Sequence, residues 1–241
     1  MGGQANTNAT AGSTNLDGTI LSVVRANPSA GFSIVSYTGN STSGATVGHG
    51  LNAKPEMIIL KSRTANESWF VNYPFGTGTG YLMLQSQNGA SGSNSTVWNL
   101  TNPTASVFSL GNSSGVNGSQ NYIAYCFTPV EGFSAFGTYA GNGSSDGPFV
   151  FTGFRPKFLI VKVHDQADHW VMWDSVRGST NVNKLPLYPN LTNSESSNIS
   201  RQVDLLSNGF KLRATDNSIN GSHNYAYMAF AEHPFKTARA R

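Results

Sequence analysis

The sequence is short of charge, of cysteine and of long apolar runs. Charged residues make up 11% of its 241 residues, against roughly 25% in an average soluble domain. Cys126 is the only cysteine, which excludes an intrachain disulfide, and its neighbours favour a small buried residue over a reactive thiol. No stretch approaches the roughly 18 consecutive apolar residues of a membrane-spanning helix. The sequence therefore predicts neither a disulfide framework nor membrane insertion.

Net charge is also small, and it comes from the end of the sequence. The formal charge is +3, and Lys236, Arg239 and Arg241 supply all of it. Without these three, the 15 basic residues fall to 12 and balance the 12 acidic ones. Domains that bind a nucleic-acid duplex carry a clustered basic face, and no such cluster is visible. We expect no nucleic-acid partner and a solvated basic tail.

The beginning of the sequence lacks core-forming residues. Its first 20 residues contain no apolar segment of the secretory type, which favours synthesis and assembly in the cytosol. Residues 1–15 are mainly Gly, Asn, Thr, Ala and Ser, a composition that buries too little apolar area to order itself. We expect this arm to become ordered only against a neighbour. The segment TILSVVRA (19–26) predicts either an extra strand or an assembly arm.

Residues that favour turns are abundant. Gly, Ser, Thr and Asn number 26, 30, 20 and 25, which together make 101 of the 241 residues. Short clusters of Val, Ile, Phe, Tyr and Trp stand between them, and aromatic residues reach 11%. This pattern is typical of many short strands joined by tight turns.

Two stretches of the sequence nearly repeat each other. NGSQNYIAYCF (117–127) and NGSHNYAYMAF (220–230) are identical at six of eleven positions. Two further blocks match in the same order, GFSIVSYTGN with GFSAFGTYAGN and KPEMIILKS with RPKFLIVKV, and the offsets run from 101 to 103 residues. Blocks that match in a fixed order at a nearly constant offset indicate a tandem duplication.

The duplication predicts an all-β chain of two tandem homologous β-sandwich domains, jelly-roll-like in strand content. Each copy contains six or seven strand-like segments and no convincing helix, as in sandwich folds. We place the low-complexity N-terminal arm, with its candidate strand, at residues 1–28. The first repeat takes residues 29–130, and the second, with the basic tail, takes residues 131–241.

One cluster has the composition of a metal site. The stretch HDQADH contains His164, Asp165, Asp168 and His169, and imidazoles with carboxylates are common metal ligands. The cluster falls between two predicted strands, where the first copy has RTANES (63–68). We interpret it as a solvated hairpin loop, and a metal site remains the alternative.

A pair of carboxylates raises the possibility of glycosidase chemistry. Glu131 and Glu232 each follow the closing strand of their copy. A general acid and a general base need unlike environments, which equivalent positions do not favour. The sequence therefore predicts no catalytic residue and no cofactor.

Trp98 is the candidate for contact with a glycan. It lies in the polar stretch NSTVWNLTNP (94–103), and an exposed indole offers a large apolar face on which a sugar ring can stack. The alternative is a loop residue that caps the edge of the sandwich. Trp69 and Trp170 occupy equivalent positions in the two copies and are predicted to be core residues.

Several motifs together resemble a repeat family of bacteriophage virion proteins, associated especially with marine and cyanobacterial phages. The resemblance spans about residues 30 to 238, and its motifs include KPEMIILKSR (54–63), NGSQNYIAYCF (117–127), FRPKFLIVK (154–162) and YMAFAEHPFK (227–236). Proteins of this family are described as structural, tail-fibre or tail-appendage proteins. The resemblance carries over no catalytic residue.

The resemblance implies a non-enzymatic structural protein on the virion surface, as a fibre, appendage or decoration subunit that supports host attachment or particle stability. Such a subunit is assembled in the host bacterial cytoplasm and released by lysis. Its expected partners are further copies of itself and other virion proteins. The alternative is a carbohydrate-binding module for host surface glycans, with Trp98 as a contact. A hydrolase acting on capsule is disfavoured, because no acid and base pair is visible.

Overall fold

The computed structural model describes residues 12–73, 80–195 and 197–233, and it shows a predominantly β chain. Paired strands run antiparallel in several sheets, which confirms the all-β prediction. The first eleven residues of the predicted arm and the basic tail from Lys236 onward lie outside the described residues.

The described strands of the N-terminal half (residues 12–127) form two sheets. One has seven strands in the order β1-β2-β3-β9-β5-β6-β7, and the other pairs β4 with β8. The strands are β1 (Ser13–Asn15), β2 (Ser22–Asn27), β3 (Phe32–Thr38), β4 (Ala45–Gly48), β5 (Met57–Ser62), β6 (Trp69–Asn72), β7 (Leu82–Met83), β8 (Val107–Leu110) and β9 (Asn121–Phe127).

The C-terminal half (residues 134–233) also forms two sheets. One has four strands in the order β10-β16-β12-β13, and the other has three in the order β11-β15-β14. The strands are β10 (Ser134–Ala140), β11 (Phe149–Phe151), β12 (Pro156–Val163), β13 (Val171–Asp174), β14 (Val203–Leu206), β15 (Gly209–Leu212) and β16 (Asn224–Ala231).

Strand β9 shows how residue order decides which side chains are buried. Alternate residues of a strand face the same side of the sheet, and the buried set here is Tyr122, Ala124 and Cys126. Cys126 is fully buried, and burial raises the pKa of its thiol to about 12. The predicted role of Cys126 as a small core residue is confirmed.

The buried apolar side chains form three clusters. The first draws its buried members from residues 20–126 and the second from residues 139–231, so each lies within one half. The third lies between the halves, and its buried members are Met57, Val71, Tyr73, Leu82, Ile160, Trp170, Ala226 and Met228. The indole N–H of Trp170 also donates to the carbonyl of Met83 at 3.0 Å. Each half therefore has its own interior, and a shared apolar interface joins them.

Two four-residue helices, α1 (Ser95–Trp98) and α2 (Ser114–Asn117), interrupt the strands of the N-terminal half. Asn94 caps α1, because its side-chain oxygen accepts from the N–H of Thr96 at 2.8 Å. Ser113 caps α2 by accepting from the N–H of Gly115 at 3.2 Å. Such caps satisfy N–H groups that a helix start leaves unpaired.

The segment that precedes the first repeat is an extra strand. Strand β2 pairs antiparallel with β3, and β1 pairs with β2. Just before β2, the N–H of Ile20 donates to the carbonyl of Thr46 in β4 at 2.9 Å. Residues 19–27 therefore cover an edge of both sheets in the N-terminal half.

Candidate functional site

The repeated Asn-Gly-Ser motif places a buried asparagine at the centre of a loop cluster. Asn117 is fully buried. Its side-chain N–H groups donate to the carbonyls of Thr42 (2.9 Å) and Gly111 (2.8 Å), and its side-chain oxygen accepts from the N–H of Asn40 (3.0 Å). One side chain thus fixes loops that are distant in the sequence.

The second copy repeats this arrangement around Asn220. The fully buried amide donates to the carbonyls of Ser144 (2.7 Å) and Ala214 (2.9 Å), and it accepts from the N–H of Asn142 (3.0 Å). We call Asn117 and Asn220 the two hub asparagines. Both side chains form hydrogen bonds within the protein, mainly with backbone groups.

A stacked tyrosine pair lies beside each hub asparagine. The rings of Tyr37 and Tyr122 stack at 5.2 Å and 17°, and those of Tyr139 and Tyr225 stack at 4.9 Å and 9°. Burial, followed by the partner tyrosine, raises the pKa of Tyr37 and of Tyr139 well above the usual value. Their hydroxyl groups donate to the carbonyls of the residues that precede the hub asparagines, Tyr37 to Val116 (2.6 Å) and Tyr139 to Ile219 (2.7 Å).

The HDQADH stretch is a loop between β12 and β13, as predicted, and its carboxylates bond within the chain. The backbone and side-chain N–H groups of Asn224 donate to Asp165 Oδ2 at 2.8 and 3.0 Å. Asp168 Oδ1 accepts from the N–H of His169 at 2.7 Å. The carboxylates stabilise the loop and the start of β16.

The two histidines of this loop also have partners in the protein. The ring of His164 lies 5.4 Å from that of Tyr73, and burial lowers the pKa of His164 although Asp165 opposes the shift. His169 Nδ1 lies 3.0 Å from the side-chain nitrogen of Asn190. In residues 12–73, 80–195 and 197–233, no three His, Cys, Asp or Glu side chains come together as a metal site would require.

The same loop joins the two halves of the molecule. The N–H of Asp168 donates to the carbonyl of Gln87 at 2.7 Å, and the N–H of Ala90 donates to the carbonyl of His164 at 2.7 Å. Lys162 is fully buried beneath it and donates to the carbonyls of Gln87 (3.1 Å) and Asp168 (2.9 Å). Burial lowers the pKa of Lys162 to about 8, against the opposing charge of Asp168.

Trp98 is a core residue, and its assignment as an exposed glycan contact needs correction. It is 2% exposed at the end of α1, and its ring packs edge-on against Phe108 with centroids 6.4 Å apart. The cap at Asn94 turns a polar stretch into a helix that points Val97 and Trp98 inward. A buried indole presents no face to a sugar. Trp170 is buried, as predicted, whereas Trp69 is half-buried.

One surface cavity contains an aromatic ring and several polar groups. It has a volume of about 280 Å³ and is lined by His169, Tyr188, Leu191, Asn193, Ser194, Asn198 and Arg201. The guanidinium of Arg201 lies 5.4 Å from the centre of the Tyr188 ring, and Asn198 donates to the Tyr188 hydroxyl at 3.2 Å. Of these residues, only His169 was a candidate from the sequence. Tyr188 stands between Pro186 and Pro189, a pattern that marks an irregular segment.

The two glutamates lie outside this cavity. Glu232 accepts from the Ser175 hydroxyl at 3.0 Å and lies 3.4 Å from the Nε of Arg155, so it holds neighbouring strands together. Glu131 follows the isolated bridge residue Val130. Within the described part of the chain, no helix has the length and apolar character needed to cross a bilayer.

Comparison with known proteins gave one match. The family described as "Domain of unknown function (DUF7483)" matches residues 5–234. No curated protein matches the chain, and no solved structure does.

Proposed function

The chain belongs to the DUF7483 family, and we propose that it is a non-enzymatic structural protein of a bacteriophage virion. In this proposal it lies on the particle surface as a fibre, appendage or decoration subunit and supports host attachment or particle stability. Its partners are copies of itself and other virion proteins. It is assembled in the host cytoplasm and released by lysis.

The recurrence of the hub asparagines carries this proposal. Asn117 and Asn220 make the same set of backbone contacts beside the same stacked tyrosine pair. We therefore propose two tandem jelly-roll-like domains, at residues 29–130 and 131–241. A duplicated framework whose buried polar groups bond to its own loops is suited to rigidity and to repeated assembly contacts.

The motif resemblance supports the part of the proposal that places the protein in a virion. KPEMIILKSR, NGSQNYIAYCF and YMAFAEHPFK are among the motifs that carry the resemblance to the phage virion family, and this resemblance supports the proposal. The resemblance and the duplicated framework together favour a subunit over an enzyme.

Purified particles provide the test. Mass spectrometry of particles from a phage that encodes this chain should find it at a stoichiometry comparable with the other structural proteins. A non-structural protein of the same phage serves as the control for contamination. If the chain occurs only in the soluble lysate and is lost from banded particles, the proposal is wrong.

Glycan binding is the second candidate function, and the cavity beside Tyr188 favours it. The cavity combines a tyrosine with an arginine and two asparagines, the mixture of aromatic and polar groups that a sugar can use. This site replaces Trp98 as the glycan contact that we propose.

A glycan array tests the second candidate. We expect wild-type binding to at least one surface glycan to fall by about tenfold or more in Tyr188→Leu, because the variant loses both the ring and its hydroxyl. Tyr125→Leu is the matched control, since Tyr125 is a partly buried tyrosine of the other half and should bind like the wild type. Absence of binding by the wild-type protein would exclude this function.

A further inference from the structure

In the N-terminal half, β2 lies on the outer edge of β3, the edge away from β9. In the β3–β9 ladder, the N–H of Gly39 donates to the carbonyl of Gln120 (3.0 Å), and the N–H of Thr128 donates to the carbonyl of Gly31 (2.8 Å). Antiparallel ladders alternate bonded and non-bonded pairs, so the odd-numbered residues of β3 bond to β9. The even-numbered residues face β2, where Ser36 is opposite Val23.

Strand β10 holds the same place in the C-terminal half. Tyr139 of β10 is opposite Tyr225 of β16, as Tyr37 of β3 is opposite Tyr122 of β9. Counted back from these tyrosines, Thr138 corresponds to Ser36. Strands β3 and β10 are therefore equivalent positions in two similar sheets.

Apart from an isolated bridge between Val130 and Ser134 at its start, the outer edge of β10 has no strand on it among the residues that the structure describes. The N–H of Gly141 donates to the carbonyl of His223, and the N–H of Ala231 donates to the carbonyl of Phe133, both at 2.8 Å. The odd-numbered residues of β10 thus bond to β16. By the same alternation, the backbone N–H and C=O groups of Phe136 and Thr138 point away from β16.

Among the described residues, the neighbouring sheet also lacks a partner on this side. In the N-terminal half, Ile20 bridges to Val47 of β4. The counterpart of Val47 is Val150 of β11, since Val47 pairs with Phe108 as Val150 pairs with Phe210. Strand β11 is paired only with β15 within the described ranges.

The edge of β10, as far as the described residues show it, lacks the features that usually protect an edge strand. Lysine, proline, bulges and inward charges prevent edge-to-edge pairing in many proteins. The sequence of β10, SAFGTYA, contains no charged residue and no proline, and its ladder with β16 is regular throughout. Beside it, Phe149 and Phe151 of β11 are 44% and 66% exposed. From Phe136 to Ala140, this edge therefore lacks the usual barriers to pairing with another strand.

We infer that a second copy of this chain occupies the edge, with β10 pairing antiparallel to the β10 of its partner across a two-fold axis. The inference deepens the proposed assembly function. An uncharged strand can pair with itself without like-charge repulsion, and a two-fold contact is self-complementary. The β2–β3 pair shows within one chain that this edge geometry accepts an antiparallel strand.

A proline at the edge tests the inference. Thr138→Pro removes an N–H that points to the free edge and leaves the β10–β16 bonds in place, because proline is tolerated on edge strands. In sedimentation velocity, wild-type protein should dimerise in the micromolar range. The dissociation constant of Thr138→Pro should rise by about tenfold or more, while Thr138→Val should match the wild type.

Two results would overturn the inference: a wild-type protein that stays monomeric, or a folded Thr138→Pro variant that dimerises as tightly as the wild type. If the proline variant fails to fold, hydrogen exchange on the wild-type protein tests the inference instead. The amides of Phe136 and Thr138 should gain protection as protein concentration rises. Two exchange results would contradict the dimer. One is no protection at any concentration. The other is protection that does not depend on concentration, which is the result expected if a segment of the same chain covered the edge.

The dimer and the virion role can fail separately. If Thr138→Pro weakens the dimer but the chain is absent from particles, the virion proposal is wrong and the β10 contact is supported. If the chain is present in particles but Thr138→Pro does not change its self-association, only the β10 contact is wrong.

Discussion

The variant Asn220→Asp is expected to lower the free energy of unfolding by about 3–5 kcal/mol at neutral pH. The substitution keeps the size of the side chain but replaces its donating NH₂ group with an oxygen. That oxygen would face the carbonyls of Ser144 and Ala214, which now accept at 2.7 and 2.9 Å. The other oxygen keeps the N–H of Asn142, but a buried carboxylate oxygen that faces only acceptors is costly, so urea unfolding should show a lower midpoint with an unchanged m-value.

The control for this prediction is Asn102→Asp. Asn102 is exposed, and surface substitutions usually change stability by less than about 0.5 kcal/mol. Asn117→Asp should cost about as much as Asn220→Asp, since its donors also meet two backbone carbonyls. If Asn220→Asp is as stable as Asn102→Asp, the hub asparagine does not hold the loops together.

Replacing Trp98 with alanine should cost about 3–5 kcal/mol, the range for a large aromatic core residue. Trp98 is 2% exposed and packs with Phe108 in the interior of the N-terminal half. The variant should unfold at a clearly lower urea concentration. In a glycan array, it should bind as the wild type does under conditions where it is folded.

Two further variants sharpen this prediction. The indole N–H of Trp98 has no hydrogen-bond partner among the described residues, so Trp98→Phe should cost much less than Trp98→Ala. Trp69→Ala, at a half-buried tryptophan, should also cost less. Equal costs at Trp69 and Trp98, or loss of glycan binding in folded Trp98→Ala, would argue against a purely structural Trp98.

The repeat made much of the fold predictable. The predicted burial of Cys126 agrees with the buried face of β9, since a strand buries one face and its period is two. The repeated Asn-Gly-Ser motif identified Asn117 and Asn220 as equivalent positions of the two copies. Their role as hydrogen-bond centres was not predictable, because the loops that they join lie some distance away in the sequence.

The candidate site was harder to predict than the fold. Trp98 looked exposed because its neighbours are polar, yet a capped four-residue helix turns it inward. Tyr188 and Arg201 meet only because the segments that carry them fold together. Local composition does not reveal such pairs.

The amino-acid sequence by itself determined the β character of the chain, its repeated motifs and the burial of Cys126. These features follow from short-range alternation and from similarity along the chain. Only the tertiary structure decided that Trp98 is buried while Trp69 is half-buried, and which sheet edges are covered. Those outcomes depend on segments that are distant in the sequence, such as β2, which lies against β3 while the equivalent edge of β10 has no described strand.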